Sequence, residues 1–451
     1  MNEQRDYAGY TGYQQTERPE PDRELTEVGP RTPGGEYLRR FWHPVAIATE
    51  IADLPKRVRV MGEDLVLFRD KGGRYGLLHL NCCHRQTSLE YGICEERGIR
   101  CCYHGWLFDV DGRILETPGE APDSKGAEKA RATLRQGAYP VREFKGLIFA
   151  YMGPLAEIPP FPIYDAYEIP GMTMVPYVCH FPCNWLQVLD AIVDPVHTAF
   201  LHSRVSRQQF SAGFGELGEL EFYDRGIRLF ATNTRRVGDN VWIRVNELVF
   251  PNFTQAGAAY AADGTKQRYF GRSSFTRWVV PVDDTDTRVI AWANFGERGD
   301  PHEWNTPEGI DQIEQGEVFD RPYVARQRNP GDLEATTGMG PITVHKLEHL
   351  MATDKGVAAL RRKLRRYIRK VAAGEGTEQP TGLAPGAIPT YGGDTVLGVP
   401  RRNSIADGEL RRRIAAQAME FHFEADRLAG EERDRFVIGK LKALEAEARG
   451  W

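Results

Sequence analysis

The chain has 451 residues, 41% hydrophobic and 27% charged, with a formal net charge of −5. That length allows two domains with real cores, and the charge gives no basic surface for nucleic acid or anionic membrane. No apolar run approaches the roughly 18–20 residues that span a bilayer, and Met1 to Glu24 is polar rather than a basic start followed by an apolar core. The expectation is a cytoplasmic protein with neither a membrane nor a nucleic-acid partner.

Residues 1–40 are read as an N-terminal arm, rich in charge, proline and glycine and loosely ordered up to Pro33-Gly34-Gly35. Residues 41–160 carry the pattern of short strands. Arg57–Val60 and Leu65–Phe68 flank Gly62-Glu63-Asp64 as a hairpin, Tyr75–Leu80 and Gly146–Met152 are further strands, and Asp111-Gly112 turns between two more. The sum is an antiparallel β domain.

Within it stand Cys82-x-His84 and, after sixteen residues, Cys101-x-x-His104. Each half offers one thiolate and one imidazole on a short loop, which suits two hairpin tips closing over a Rieske [2Fe–2S] cluster, with two cysteines on one iron and two histidines on the other. A structural zinc site is the rival, but zinc modules usually pair like ligands, Cys-x-x-Cys with His-x3-His. Five of the seven cysteines lie between Cys82 and Cys102, which argues against a secreted disulfide framework. Cys83 and Cys102, each beside a proposed ligand, are read as buried free thiols; a disulfide pinning the two loops is the alternative.

Residues 161–375 form a larger region. Trp185 to Leu201 reads as helix, broken or kinked at Pro195. His197 and His202 are five apart, and an irregular helix can aim both at one ion. Asp194 precedes them by three; its plainer reading is an acid at a helix N-terminus. Two histidines and a carboxylate leave iron with open positions for dioxygen, and the carboxylate must come from elsewhere in the chain. Residues 219–298 read as a sheet. Thr353 reads as an N-cap for a helix running to about Val371, whose basic block Arg361–Lys370 is a solvated face or, less simply, a docking patch for an acidic redox partner. Phe210, Phe214, Phe250 and Phe253 are pocket candidates against a plainer role as core. Residues 376–451 form an extension, a Gly/Pro-rich loop and then one helix from about Gly408 to Arg449.

The two motifs in this order, about a hundred residues apart, resemble the α subunit of a Rieske non-haem iron oxygenase, of the phthalate-dioxygenase-like and aryl O-demethylase group. The stretch Gly35-Glu36-Tyr37-Leu38-Arg39-Arg40-Phe41-Trp42-His43-Pro44 is similar to the start of that group. Gly338-Met339-Gly340-Pro341-Ile342, Glu348-His349-Leu350 and Thr353-Asp354 are similar to its downstream signature. Cys83 and Cys102 depart from the usual prolines, Asp190 stands where Glu or Asn is usual, and Val344-His345 replaces an Asp-Arg pair.

The resemblance implies an α+β fold, an antiparallel β Rieske domain followed by a helix-grip-like catalytic domain whose sheet is flanked by helices. It implies two cofactors: a Rieske cluster on Cys82, His84, Cys101 and His104, and a mononuclear non-haem Fe(II) on His197, His202 and Asp354. It also implies a homotrimer, single or stacked, in which Asp194 bridges His197 to a cluster histidine, His104, of the adjacent subunit. Electrons derived from NAD(P)H would arrive from a separate reductase or ferredoxin, since no nucleotide fingerprint is found here. The expected reaction is oxygenation of an aromatic small molecule with O2. Monooxygenation, as hydroxylation or O-demethylation, is favoured over cis-dihydroxylation; a Rieske electron-transfer protein is the reading from another class.

Overall fold

The computed structural model describes residues 19–121, 123–169, 171–205, 212–257, 269–295, 321–382 and 386–451. After β1 (Trp42–Ile47), the expected hairpin forms from β2 (Lys56–Val60) and β3 (Glu63–Arg69), with Val58 opposite Leu65 and both buried. Its turn, Met61-Gly62, holds two positive φ angles, 47° and 78°. Next come β4 (Tyr75–His79), β5 (Ile93–Cys94), β6 (Ile99–Arg100), β7 (Leu107–Phe108), β8 (Ile114–Glu116), β9 (Ala138–Tyr139), β10 (Val141–Phe144) and β11 (Leu147–Tyr151). They make three antiparallel sheets, β2-β3-β4-β9, β5-β6-β7-β8 and β1-β11-β10.

The second region is built on one antiparallel sheet of nine described strands. These are β12 (Thr173–Phe181), β13 (Glu219–Arg225), β14 (Arg228–Val237), β15 (Asn240–Val249), β16 (Phe253–Ala256), β17 (Phe270–Arg272), β18 (Phe275–Asp283), β19 (Asp286–Phe295) and β20 (Gly393–Leu397). Their order is β12-β19-β18-β16-β15-β14-β13, with β20 paired to β15 and β17. The centre of this sheet is unusually polar for buried strand: Thr232, Asn233, Thr234, Arg235, Arg244, Asn246 and Glu247 are all buried. Buried polar groups require partners, so this composition marks a face that holds something more specific than an apolar core.

Four expectations are corrected. The described part of the arm is not loose: α1 (Arg23–Thr26), α2 (Pro33–Leu38) and the link between them bury Leu25, Val28, Tyr37 and Leu38 in the main core, and Glu24 pairs with Arg365 and Arg369. Trp185 to Leu201 is a series of short turns, α3 (Trp185–Asp190), a 3-10 turn Ala191–Val193, α4 (His197–Ala199) and a π-helical turn Phe200–Val205. The last helix is two, α7 (Asp407–Glu424) and α8 (Gly430–Ala448), folded back through Ala425–Arg427. Leu410, Ile414, Met419, Val437 and Leu441 thereby reach one core against β14, β15 and β20, which a single straight helix could not arrange. Between these lie α5 (Asp332–Thr337) and the long α6 (Lys355–Ala372), whose N-cap position is held by Asp354 rather than Thr353, with no side-chain capping bond.

Candidate metal centres

The two N-terminal motif loops are built alike. Cys82 N–H donates to Thr87 O and Gln86 N–H to Cys82 O; Cys101 N–H donates to Trp106 O and Gly105 N–H to Cys101 O. Four residues after each cysteine the backbone takes positive φ, 62° at Gln86 and 71° at Gly105. Gln136 braces the first loop, accepting from Cys83 N–H at 2.8 Å and donating to His79 O and Asn81 O. The result is two matched loops, the second a true hairpin tip between β6 and β7.

Cys82 and Cys101 are buried in a core with Val66, Phe68, Leu80 and Phe108, whereas His84 is exposed and His104 half-buried beside exposed Tyr103. The imidazoles face each other, ring centres 4.7 Å apart, and His84 stacks on Trp106 at 4.5 Å. Burial, with Cys101 alongside, pushes the Cys82 thiol up to about 12, so a thiolate here needs a cation next to it. Thiol beside thiol and imidazole beside imidazole is the donor arrangement of a two-iron cluster, not of one tetrahedral ion. Among the described residues, the only set of three His, Cys, Asp or Glu ligand atoms found within 4.8 Å of one another lies elsewhere. Cys83 and Cys102 are free thiols, the first half-buried and the second exposed.

That other set is His197, His202 and Asp332. Five-residue spacing overshoots one α-helical turn; His197 lies on the short α turn His197–Ala199 and His202 on the π-helical turn Phe200–Val205 that follows it, and the wider π turn takes up the extra residue. The rings lie 5.3 Å apart, and both Nε2 atoms address Asp332 Oδ1, at 3.2 Å from His202 and 3.8 Å from His197. Burial works to raise the Asp332 carboxyl, but His202 and His197, with Arg277 behind them, hold it well below the usual carboxylate range. Two neutral-capable imidazoles and an ionised carboxylate converging from one side fit a mononuclear iron with open positions.

Asp354, expected as the third ligand, is not brought to the histidines. Its Oδ2 accepts from Met351 N–H at 2.7 Å and closes the turn before α6. Asp332 stands there instead, the first residue of α5, in the stretch Pro330-Gly331-Asp332-Leu333-Glu334. Glu334 accepts from Gly331 N–H at 2.8 Å, so the helix start itself positions the carboxylate. The signal available in the sequence was an acid at a Pro-Gly helix start a few residues ahead of Gly338-Met339-Gly340-Pro341.

Gln187 on α3 ties this segment down. Its amide donates to Thr336 O at 2.7 Å and Gly340 O at 2.9 Å, and its carbonyl accepts from Thr343 N–H at 2.9 Å. Asp194 Oδ1 accepts from Val196 N–H at 3.1 Å while Oδ2 faces His197 Nδ1 at 3.6 Å. Burial disfavours the His197 imidazolium, but Asp194 and Asp332 outweigh it and raise the pKa. Asp190 is buried on Arg361, at 2.5 and 3.1 Å, and Arg361 also grips Glu348.

Phe214 is buried against Trp242, Phe250 against Tyr367 and Phe253 on Tyr164, while Phe210 lies outside the described residues. A cavity of about 480 Å³ opens beside the histidine turn, lined by Val196, Phe200, Leu217, Leu220 and Phe222 among others, but not by the imidazoles.

Residues 41–144 match the Rieske [2Fe-2S] domain family. The chain is 41% identical over 447 residues to the tert-butanol monooxygenase / tert-amyl alcohol desaturase oxygenase subunit of Aquincola tertiaricarbonis, covering 94% of this chain and 93% of that protein. It is 40% identical over 372 residues to the phenoxybenzoate dioxygenase subunit alpha of Ectopseudomonas oleovorans, covering 78% and 86%. Among solved structures, dicamba monooxygenase bound to 3,6-dichlorosalicylic acid shares the fold, with a TM-score of 0.58 at 19% identity over 74% of this chain and 99% of that one. No helix among the described residues is long and apolar enough to cross a membrane. The chain belongs to the Rieske non-haem iron oxygenases as an oxygenase α subunit, an oxidoreductase that incorporates oxygen with a [2Fe–2S] cluster and a mononuclear non-haem iron.

Proposed function

We propose that His197, His202 and Asp332 hold the mononuclear iron, that Cys82 and Cys101 hold one iron of the cluster, and that His84 and His104 hold the other. The convergence of both histidine Nε2 atoms on Asp332 carries this reading. Bound there, the iron supplies open coordination positions for dioxygen. The Asp194 carboxylate stands 3.6 Å from His197 Nδ1, where its charge favours the ring orientation that directs Nε2 toward Asp332.

The substrate in this reading is a small aromatic molecule, monooxygenated with electrons that come from NAD(P)H through a separate reductase or ferredoxin. Support comes from relatives named for phenoxybenzoate, phthalate and dehydrodivanillate. A second reading, hydroxylation or desaturation of a tertiary alcohol, is favoured by one observation. The alignment with the tert-butanol relative leaves out too little of this chain to omit the extension 376–451.

We place the chain in the cytoplasm, where reducing conditions suit seven free cysteines. We also propose a homotrimer in which Asp194 of one subunit meets His104 of the next. The histidine end of the cluster loops lies at the surface beside exposed Tyr103, and Phe200 and Leu217 are exposed beside the histidine turn.

The test is metal analysis with an absorption spectrum, then a substrate panel with a surrogate reductase. About three irons per chain and a red-brown protein are expected; formaldehyde release marks O-demethylation, a diol marks dihydroxylation, and turnover of tert-butanol alone supports the second reading. With iron supplied in excess, Asp194→Asn is expected to keep both centres loaded and to slow electron transfer between them; full activity in that variant overturns the bridging role.

A further inference from the structure

The segment that carries Asp194 into the iron site is held by side chains of the sheet, from two different strands. Asn246 of β15 donates from Nδ2 to Ile192 O at 2.9 Å, and Asn233 of β14 donates from Nδ2 to Pro195 O at 3.3 Å. These two carbonyls bracket Val193-Asp194. A third tie runs from Arg235 Nη2 to Thr198 Oγ1 at 3.0 Å, whose hydroxyl donates in turn to Pro195 O at 2.8 Å. A carbonyl can only accept, so each amide must present its NH2 to the segment, and its own Oδ1 is left over. Both Oδ1 atoms are buried with no hydrogen-bond partner.

Leaving two buried acceptors unmatched is unfavourable, and a strand that only had to pack there would carry apolar side chains. The segment itself has little else to stiffen it. The 3-10 turn Ala191–Val193 is three residues long, and Asp194 follows it at φ −110°, ψ 87°, outside helical geometry. Asp194 is also the neighbour that His197 Nδ1 faces, and that nitrogen has no hydrogen-bond partner of its own.

We propose that Asn233 and Asn246 are positioning residues: a clamp that sets the distance from Asp194 to His197 and, through that imidazole, the affinity of the iron site for its metal. The proposal rests on the assignment of His197, His202 and Asp332 as the iron ligands. Outer partners of a ligating histidine typically tune metal affinity by about 10–100-fold, and a residue that sets the outer partner acts through the same route.

The test uses full-length protein with its Rieske cluster loaded and its mononuclear site stripped, titrated with cobalt(II) and followed by the cobalt ligand-field bands. Asn246→Leu is expected to weaken cobalt binding about tenfold, with the Rieske absorption unchanged. In an Asp194→Asn background, where the carboxylate partner is already altered, the same substitution is expected to change affinity by less than twofold, because residues acting in series are not additive. Asn246→Gln, which retains an amide donor, is expected to recover part of the loss. Equal cobalt affinity in Asn246→Leu and the unsubstituted protein, or an equal loss in both backgrounds, overturns the clamp. Asn233→Leu removes the donor on the other strand and is read in the same way, so misfolding of one variant does not remove the test. Cobalt binding by the unsubstituted protein that is indifferent to Asp332→Ala would overturn the ligand assignment instead, a result distinct from failure of the clamp.

Discussion

Gln187→Leu separates support of the iron site from the ligands themselves. Gln187 is 3% exposed and touches neither histidine, yet its amide joins α3 to the segment 336–343 that follows Asp332. Leucine fills a similar volume without the polar atoms. Thr336 O retains the Met339 N–H as a partner, whereas Gly340 O and Thr343 N–H lose the one described for each. A buried backbone group left unmatched costs about 1–3 kcal/mol, so two cost about 2–6 kcal/mol against a total stability of about 5–15 kcal/mol. The damage falls on α5 and its leading carboxylate. The expected result is loss of most mononuclear iron, with the Rieske absorption kept and a clear drop in chemical-denaturation stability. Iron content near three per chain together with a stability change below about 1 kcal/mol would refute the reasoning, since surface-type effects are that small.

Three further outcomes follow from named contacts. Asp332→Ala should strip mononuclear iron and leave the cluster spectrum intact, whereas Asp354→Ala should retain both irons and lose only part of the turn before α6; iron analysis of the two variants side by side decides between them. His43 is buried, with its Nε2 2.7 Å from Leu38 O and its Nδ1 accepting from Asn252 at 3.1 Å, and burial lowers its pKa to about 4. Between pH 4 and 6.5 the unfolded chain therefore binds a proton that the fold does not. Stability should rise with pH across that window, by at most about 3 kcal/mol from this group, and be level in this term above it. His43→Gln should flatten the profile, and an unchanged slope counts against the assignment. Arg433→Met removes one of two guanidiniums 3.1 Å from the buried Asp165 carboxylate. Arg272 keeps the carboxylate paired, so the loss stays below the about 3–5 kcal/mol of an uncompensated buried charge, and limited proteolysis should open α7 and α8 first; unchanged resistance would show that the helices are held by apolar packing alone.

Local chemistry was legible in the chain before any tertiary contact. Matched Cys/His pairs on short loops pointed to a cluster because the loops are sequence-local: each cysteine is bonded to backbone four or five residues away. The hairpin at Met61-Gly62 and the interrupted helix around Pro195 are likewise decided by neighbours. The pair His197/His202 was visible, but the way the chain carries it, a short α turn passing into a π turn, shows no distinct periodicity over so few residues.

Which of 63 acidic residues faces those histidines was a matter for the folded chain. Asp332 and Asp354 both open helices, and helix-start chemistry looks the same whether or not the carboxylate points into a site. Only the packing of α5 on α3 through Gln187 separates them. The same holds for the contacts that Asn233 and Asn246 make with carbonyls 38 and 54 positions away, and for the return of α8 on α7, since each needs separate elements to meet in space. Short-range bonding chooses turns and loops from adjacent side chains, whereas long-range contacts are chosen by the burial of whole elements against each other, a quantity no local window contains.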